Sequence, residues 1–213
     1  MNRTLDEKLY DVWNRKWTGD KPDEHLTRLG RWMFRSKKKH LSEVINNLTV
    51  QSIIEVGCGL GHTMSIYEDL KLNYIGIDVS PNAVEICRKK GLHAIQQHIE
   101  DVRETYDLVS SDGMLEHFLN FEPYAKHLMR ISNRYVLLIQ PNHESFWGRT
   151  LAYLSELLQP DKNVFEYNYR IQDFISTFEM NEFKLKKNIP IFWDVFRLLL
   201  FQRESSKGHP SIQ

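Results

Sequence analysis

The stretch Ser52-Ile53-Ile54-Glu55-Val56-Gly57-Cys58-Gly59-Leu60-Gly61 decides the fold. Its first half is a short run of apolar and β-branched residues around one acid, the pattern of a strand buried on both faces. Its second half carries glycine at every other position. Glycine lets the backbone turn sharply and approach a ligand closely, because no Cβ intervenes. A buried strand that ends in a glycine loop and opens a helix, here expected from about His62 to Leu70, is the first unit of a doubly wound sheet.

Outward from that unit the same alternation repeats. Further strands are expected at Leu72–Ile77, His93–Ile99, Tyr106–Ser110 and Tyr135–Gln140. Between them, Ser80 is a good N-cap ahead of Pro81 at the favoured first helical position, and that helix, through Val84 and Cys87, stops at Gly91. Pro123 opens another helix through Leu128 and Ile131. The tail offers a helix over Ile171–Met180 and strands near Phe183–Ile189 and Leu198–Gln202, close enough in sequence to form an antiparallel edge. Residues 1–50 read as helical: Thr4 and Glu7 have capping-box spacing, Leu5, Leu9, Val12, Trp13 and Trp17 recur at helical intervals, and a turn at Gly19–Pro22 precedes a second helix ending in Leu41, Val44, Ile45 and Leu48. The expectation is an α/β chain with a doubly wound, Rossmann-like, mostly parallel sheet and an antiparallel C-terminal edge strand. Its single domain would divide into a helical N-terminal cap (1–50), a ligand-binding core (51–142) and an acceptor-side insert with the last strands (143–213).

Composition excludes several classes. The 213 residues suit one domain, and 41% hydrophobic with 26% charged residues is a globular balance. Twenty-eight basic residues offset 28 acidic ones, so no global field selects nucleic acid or an anionic surface. The start, Met1-Asn2-Arg3-Thr4, leads into charged residues with no apolar signal core, and apolar runs are too short to span a bilayer. Two cysteines, Cys58 and Cys87, give no disulfide framework, so a reducing, cytoplasmic setting is expected. Cys58 reads as a small loop residue rather than a nucleophile, Cys87 reads as core, and no metal site is expected.

In such sheets ligands lie outside the carboxyl ends of the strands, where strand order reverses. Asp78 ends the second strand, where a carboxylate can accept hydrogen bonds from both ribose hydroxyls. Loop and acid together describe a nucleoside site. The spacing Gly57, Gly59, Gly61 leaves His62 where a dinucleotide-binding loop would have its third glycine. Glu55 beside the loop disfavours a pyrophosphate and suits an ammonium group.

Glu55-Val56-Gly57-Cys58-Gly59-Leu60-Gly61 resembles the first motif, E/D-x-G-x-G-x-G, of class I S-adenosylmethionine-dependent methyltransferases. Asp78 matches that family's ribose-binding acid. The segment Asp107–Phe118, with Leu115-Glu116-His117 near its end, resembles the fourth-strand segment of the branch with small-molecule acceptors. The resemblance spans about Ser52 to Asn142. It implies that Gly57, Cys58, Gly59 and Gly61 line the cofactor and that Glu55 meets the methionine ammonium, directly or through water. It further implies that Asp78 binds the ribose, Val79 lies against adenine, and Ser111 sits near the methionine end. The family's adenine-binding acid after the third strand is replaced here by His98, followed by Ile99 and Glu100; these three become the candidates for that edge, with Glu100 or Asp101 taking the acid's role if the alignment shifts by one or two residues.

His117 and His143 are the candidate bases; the Glu-His pair also reads as a structural feature. In-line methyl transfer from a sulfonium can proceed largely by positioning, so a base is needed only where the acceptor carries a proton that must leave. The aromatics Phe146, Trp147, Tyr153, Phe165, Tyr167 and Tyr169, with Tyr10, Trp13 and Trp17, could lid an apolar, small or lipid-like acceptor; core packing explains them equally well. Arg28, Arg31, Arg35, Lys37, Lys38 and Lys39 form an acid-free stretch that reads first as a solvated helix face and second as a surface for an anionic substrate or RNA. The readings that compete with a methyltransferase are a non-catalytic S-adenosylmethionine-binding protein, an NAD(P)-dependent oxidoreductase and an RNA methyltransferase.

Overall fold

The computed structural model of the chain describes residues 3–17, 28–158 and 166–204. Seven strands form one sheet: β1 (Ile53–Val56), β2 (Tyr74–Asp78), β3 (Ala94–Gln96), β4 (Tyr106–Asp112), β5 (Ser132–Pro141), β6 (Phe183–Ile191) and β7 (Phe196–Arg203). Their order is β3-β2-β1-β4-β5-β7-β6. The pairs from β3 through β5 are parallel; β7 runs antiparallel to both β5 and β6. The fold class expected from the sequence is the one observed. β7 slots inside, next to β5, and β6 becomes the edge. Strand order reverses between β1 and β4, so the glycine loop that leaves β1 sits at the switch point.

Helices α1 (Arg3–Lys16), α2 (Arg28–Ile45), α3 (His62–Asp69), α4 (Pro81–Lys89), α5 (Glu122–Arg130), α6 (Phe146–Leu158) and α7 (Ile171–Glu179) complete the chain. Neighbouring strand residues point to opposite faces, so Ile53 and Ile54 belong to different cores. One core joins Leu41 and Ile45 of α2 to Met64 and Tyr67 of α3 and Val84 of α4. The other joins Leu128 of α5 to Phe174 and Phe178 of α7. Among the described residues no helix is long and apolar enough to cross a membrane.

Four local expectations shift. α1 begins at Arg3, ahead of the proposed Thr4 cap. β3 stops at Gln96, and Ile99–Asp101 form a 3-10 turn instead of continuing the strand. β4 continues through Ser111 to Asp112. The insert after β5 folds into α6, which the sequence reading left without an element. The expected turn at Gly19–Pro22 and Phe165 lie outside the described residues.

Candidate functional site

The loop after β1 is held by the end of β2: the amides of Gly57 and Cys58 both donate to the Ile77 carbonyl, at 2.9 and 3.0 Å. Gly57, Gly59 and Gly61 all have left-handed φ, +72°, +50° and +79°, which a residue with a Cβ rarely adopts. They differ in what surrounds them. A Cβ at Gly61 would strike Leu92 and one at Gly57 would meet Met114, whereas one at Gly59 would meet only the Trp17 ring, at 3.8 Å. Gly59 is the open point of the loop. Its amide donates to Asp78 Oδ2 at 2.9 Å, and the Ser80 amide donates to Oδ1 at 2.8 Å. Each carboxylate oxygen keeps a lone pair for a further donor. Burial pushes the Asp78 carboxyl up, opposed by the amides of Ser80, Gly59 and Val79.

Helix α1 roofs this edge. Asn14 Oδ1 accepts from the Ser80 hydroxyl at 3.0 Å, and the Asn14 carbonyl accepts from Asn82 Nδ2 at 2.9 Å. One helix face then carries Tyr10, whose ring meets His98 at 5.1 Å, and Trp13, whose ring meets His117 at 4.7 Å. Trp17 lies across Gly59 and stacks on Trp13 at 5.6 Å. A single helical stripe thus touches the glycine loop, the Asp78–Ser80 corner, His98 and His117.

The remaining sequence candidates divide. Glu55 is 1% exposed and spends its carboxyl on the Tyr67 hydroxyl, at 3.1 Å, and on Ser110 Oγ. Desolvation pushes it up to about 8. Ser111, buried inside β4, donates to the Val56 carbonyl at 3.0 Å and so ties β4 to β1. Ile99 is core, leaving only its backbone for a ligand, while His98 is exposed and Glu100 half-buried beside it. Val79 is half-buried, its carbonyl accepting from Gln96 Nε2 at 3.3 Å. Cys58 and Cys87 are brought together: both are buried, Cys87 Sγ donates to the Gly59 carbonyl at 3.1 Å, and the two thiols interact. The hydrogen bond with Cys87, and then burial, push the Cys58 thiol upward, the opposite of an activated nucleophile. His117 closes the 3-10 turn Leu115–His117 and is 7% exposed. His143, two residues past β5, is half-buried with Nε2 unpartnered among the described residues. Tyr169 donates to the Leu119 carbonyl at 2.7 Å, and the Tyr167 amide donates to the Glu116 carbonyl at 2.8 Å.

Three features escaped the sequence reading. Lys37, assigned to a solvated face, instead donates to both oxygens of Asp112, at 2.8 and 2.7 Å, while Thr63 Oγ1 donates to the same carboxylate at 2.8 Å. This ties α2 and the first turn of α3 to the end of β4. Glu116 is 4% exposed, pushed up to about 8 by desolvation, with Oε2 lacking a partner among the described residues. Gln140, fully buried at the end of β5, has neither amide atom partnered there. The Gly113 amide donates to the carbonyl of Ile139, the residue before Gln140, at 3.0 Å, and a Cβ on Gly113 would sit 3.2 Å from Glu116 Oε1, so Glu116 lies against the end of β4. No metal-binding group of His, Cys, Asp and Glu occurs among the described residues.

A family model described as a methyltransferase domain matches residues 24–185. A pavine N-methyltransferase from Thalictrum flavum subsp. glaucum is 30% identical over 128 residues, 55% of this chain and 35% of that protein. The chain thus spans about a third of that relative's length. A tRNA (guanine-N(7)-)-methyltransferase from Mesoplasma florum is 26% identical over 202 residues, 83% of this chain and 88% of its own. Among solved structures, magnesium protoporphyrin IX methyltransferase from Synechocystis PCC 6803 with bound S-adenosylhomocysteine superposes with a TM-score of 0.67 at 16% identity, covering 95% of this chain and all of that one. The N-methyltransferase NodS from Bradyrhizobium japonicum WM9, in complex with the same ligand, gives 0.67 at 13% identity, covering 92% of this chain and 99% of its own. The chain belongs to the methyltransferase-domain family and carries the fold of S-adenosylmethionine-dependent methyltransferases.

Proposed function

We propose that the chain uses S-adenosyl-L-methionine to methylate a small, largely apolar acceptor that presents one polar, nucleophilic atom. The residues fit the cofactor. Gly59 leaves a cradle that a Cβ would narrow, and Asp78 keeps lone pairs for two ribose hydroxyls. Val79 and His98 border the adenine side. Lys37 and Asp112 offer the methionine end a cation and an anion that match its carboxylate and ammonium. Bound there, the sulfonium supplies an activated methyl group. Residues 1–50 would then act as the cap, 51–142 as the cofactor-binding core and 143–213 as the acceptor side of one domain.

The observation that carries the acceptor class is the segment Met114–His117 beneath α1. Trp13 packs edge-on against His117, Met114 lies against Gly57, and Glu116 brings a buried carboxyl oxygen that no described group satisfies. Surroundings of this make-up would suit an apolar molecule that pairs its polar atom with Glu116. Glu116 would take the proton that an amine or hydroxyl acceptor must lose on being methylated. A carboxyl held near 8 is partly ionised at neutral pH and matched to that task. His117, edge-on to Trp13, positions the roof.

Incubation of the full chain with methyl-labelled S-adenosylmethionine tests this reading against small amines, phenols, a lipid extract and total tRNA. Label in a small amine, phenol or lipid is the expected result. Label in tRNA alone would overturn the acceptor class while leaving the cofactor assignment standing.

A further inference from the structure

Three of the five tryptophans converge on one surface away from the glycine loop. Trp32 of α2 meets Trp193 of the β6–β7 turn edge-on at 4.6 Å, Trp193 meets Trp147 of α6 at 5.2 Å, and Trp147 meets Phe146 at 5.2 Å. All four rings are between 44% and 66% exposed, and Leu29 and Leu154 extend the patch at 44% and 42%. Exposed apolar groups scattered singly need no explanation; a continuous ribbon drawn from three separate elements does. The turn that presents Trp193 is also costly to build. Phe192, Trp193 and Asp194 have φ of +50°, +54° and +67°, three consecutive side-chain-bearing residues in the left-handed region. Phe192 is buried as the anchor, at 5.1 Å from Trp32, and Asp194 is neutralised by Arg197 at 2.7 Å. What this geometry gains is an outward-held indole.

Charge runs beside the ribbon. Arg28, Arg31, Arg35 and Lys39 are exposed along one edge of α2, at spacings of three, four and four residues, and Arg149 is exposed on α6. No acid lies between Arg28 and Ser42. Lys37 and Lys38 are engaged by Asp112 and Asp69, so they do not belong to this edge. Indoles flanked by arginine and lysine are the arrangement suited to the boundary between lipid headgroups and acyl chains.

We propose that this face docks the protein peripherally on an anionic phospholipid surface, with Trp147, Trp193 and Phe146 entering the headgroup region and the α2 edge facing the phosphates. The charge is complementary and the apolar ribbon is contiguous. Stacking on single-stranded nucleic acid would need open ring faces, whereas Trp193 is met edge-on by Trp32, at a tilt by Trp147 and face-on by Phe192. The inference does not depend on the acceptor or on the cofactor assignment.

The test uses the full chain with vesicles of phosphatidylcholine alone, vesicles with about one third phosphatidylglycerol, and total tRNA. Anionic vesicles are expected to hold the protein roughly tenfold or more tightly than neutral ones, since each basic residue near such a surface adds attraction. Brominated acyl chains should quench the tryptophan emission of the unaltered protein, a readout that needs no variant. Trp147→Ser with Trp193→Ser should remove binding to both vesicles, and Arg31→Glu with Arg35→Glu should remove the preference for the anionic ones. An unchanged melting temperature in each variant shows that it has folded. Absence of vesicle binding overturns the proposal, as does binding without quenching, binding that survives the tryptophan pair, or retention by tRNA alone. So does a dimer in solution whose formation, and not vesicle binding, is abolished by the tryptophan pair.

Discussion

The β1–β2 side of the sheet's carboxyl edge and its β4–β5 side, separated by the β1–β4 switch, satisfy their polar groups in opposite ways. On the β1–β2 side, proposed to hold the nucleoside, Asp78 is met by two backbone amides at 2.9 and 2.8 Å, and Ser80 caps α4 by accepting from the Ala83 amide at 3.2 Å. On the β4–β5 side, proposed to face the acceptor, Glu116 and Gln140 are buried and retain atoms without a partner among the described residues. Burying such an atom unpaired costs on the order of 1–3 kcal/mol. A backbone-built half is preorganised before any ligand arrives, because its hydrogen bonds follow from the chain's path. The half built from side chains carries unmet demand, and on the proposed function the acceptor is what meets it.

Removing Asp78 attacks the preorganised half and should have the largest effect. On the proposed function, Asp78→Ala would lose two charge-assisted bonds to ribose hydroxyls as well as the clamp on Gly59. At about 2 kcal/mol per bond, S-adenosylmethionine affinity should fall about a thousandfold. Isothermal titration reads the affinity, and a ligand-free melt shows how much of the loss is unclamped loop. A loss under about tenfold, where roughly 1.4 kcal/mol is one decade, would mean that the nucleoside does not rest on this acid.

The same contrast explains what the sequence disclosed. Gly57 to Asp78 lie within one strand-loop-helix-strand unit, so loop, acid and cap could be read together from local spacing. The Lys37–Asp112 pair joins positions 75 residues apart, and Tyr67 reaches Ser110 from 43 away. No local pattern distinguishes Lys37 from Lys38 and Lys39, which is why it read as part of a solvated face. Glu116 was visible within a motif, but burial sets its titration, and burial is a property of the assembled fold. The aromatics after β5 showed an insert yet not its helix, since α6 rests on partners from the β6–β7 turn rather than on its own periodicity.

Glu116→Gln sharpens the acceptor half. With an amine or phenol acceptor, kcat should fall about a hundredfold, the typical contribution of a positioned base, while cofactor affinity stays within about twofold. The wild-type rate should climb as pH rises through about 8 and flatten in the variant. Stability should run the other way. Both Glu116 and Glu55 are raised from 4.5 to about 8, so between those values the folded chain holds protons that the unfolded chain has released. Folding free energy therefore weakens with rising pH across that window, by up to about 1.4 kcal/mol per unit for each group. Glu116→Gln should remove roughly half of this slope together with the rate profile, and Glu55→Gln the other half without touching the profile. If both variants abolish the profile, the base assignment to Glu116 fails.

The smallest effect tests whether the demand at Gln140 is real. Replacing a buried amide that has no partner by an apolar group of similar size removes a desolvation cost, so Gln140→Leu should stabilise the ligand-free protein by about 1 kcal/mol. For a chain of this length that is a rise of roughly 2–4 °C in melting temperature. If the acceptor also reaches this amide, the acceptor KM should rise at the same time, while kcat changes little. A stabilised variant with unchanged KM would make Gln140 a flaw in the core. A destabilised one would mean that its amide is already satisfied in the resting protein, and the acceptor's polar atom must then be read by Glu116 alone.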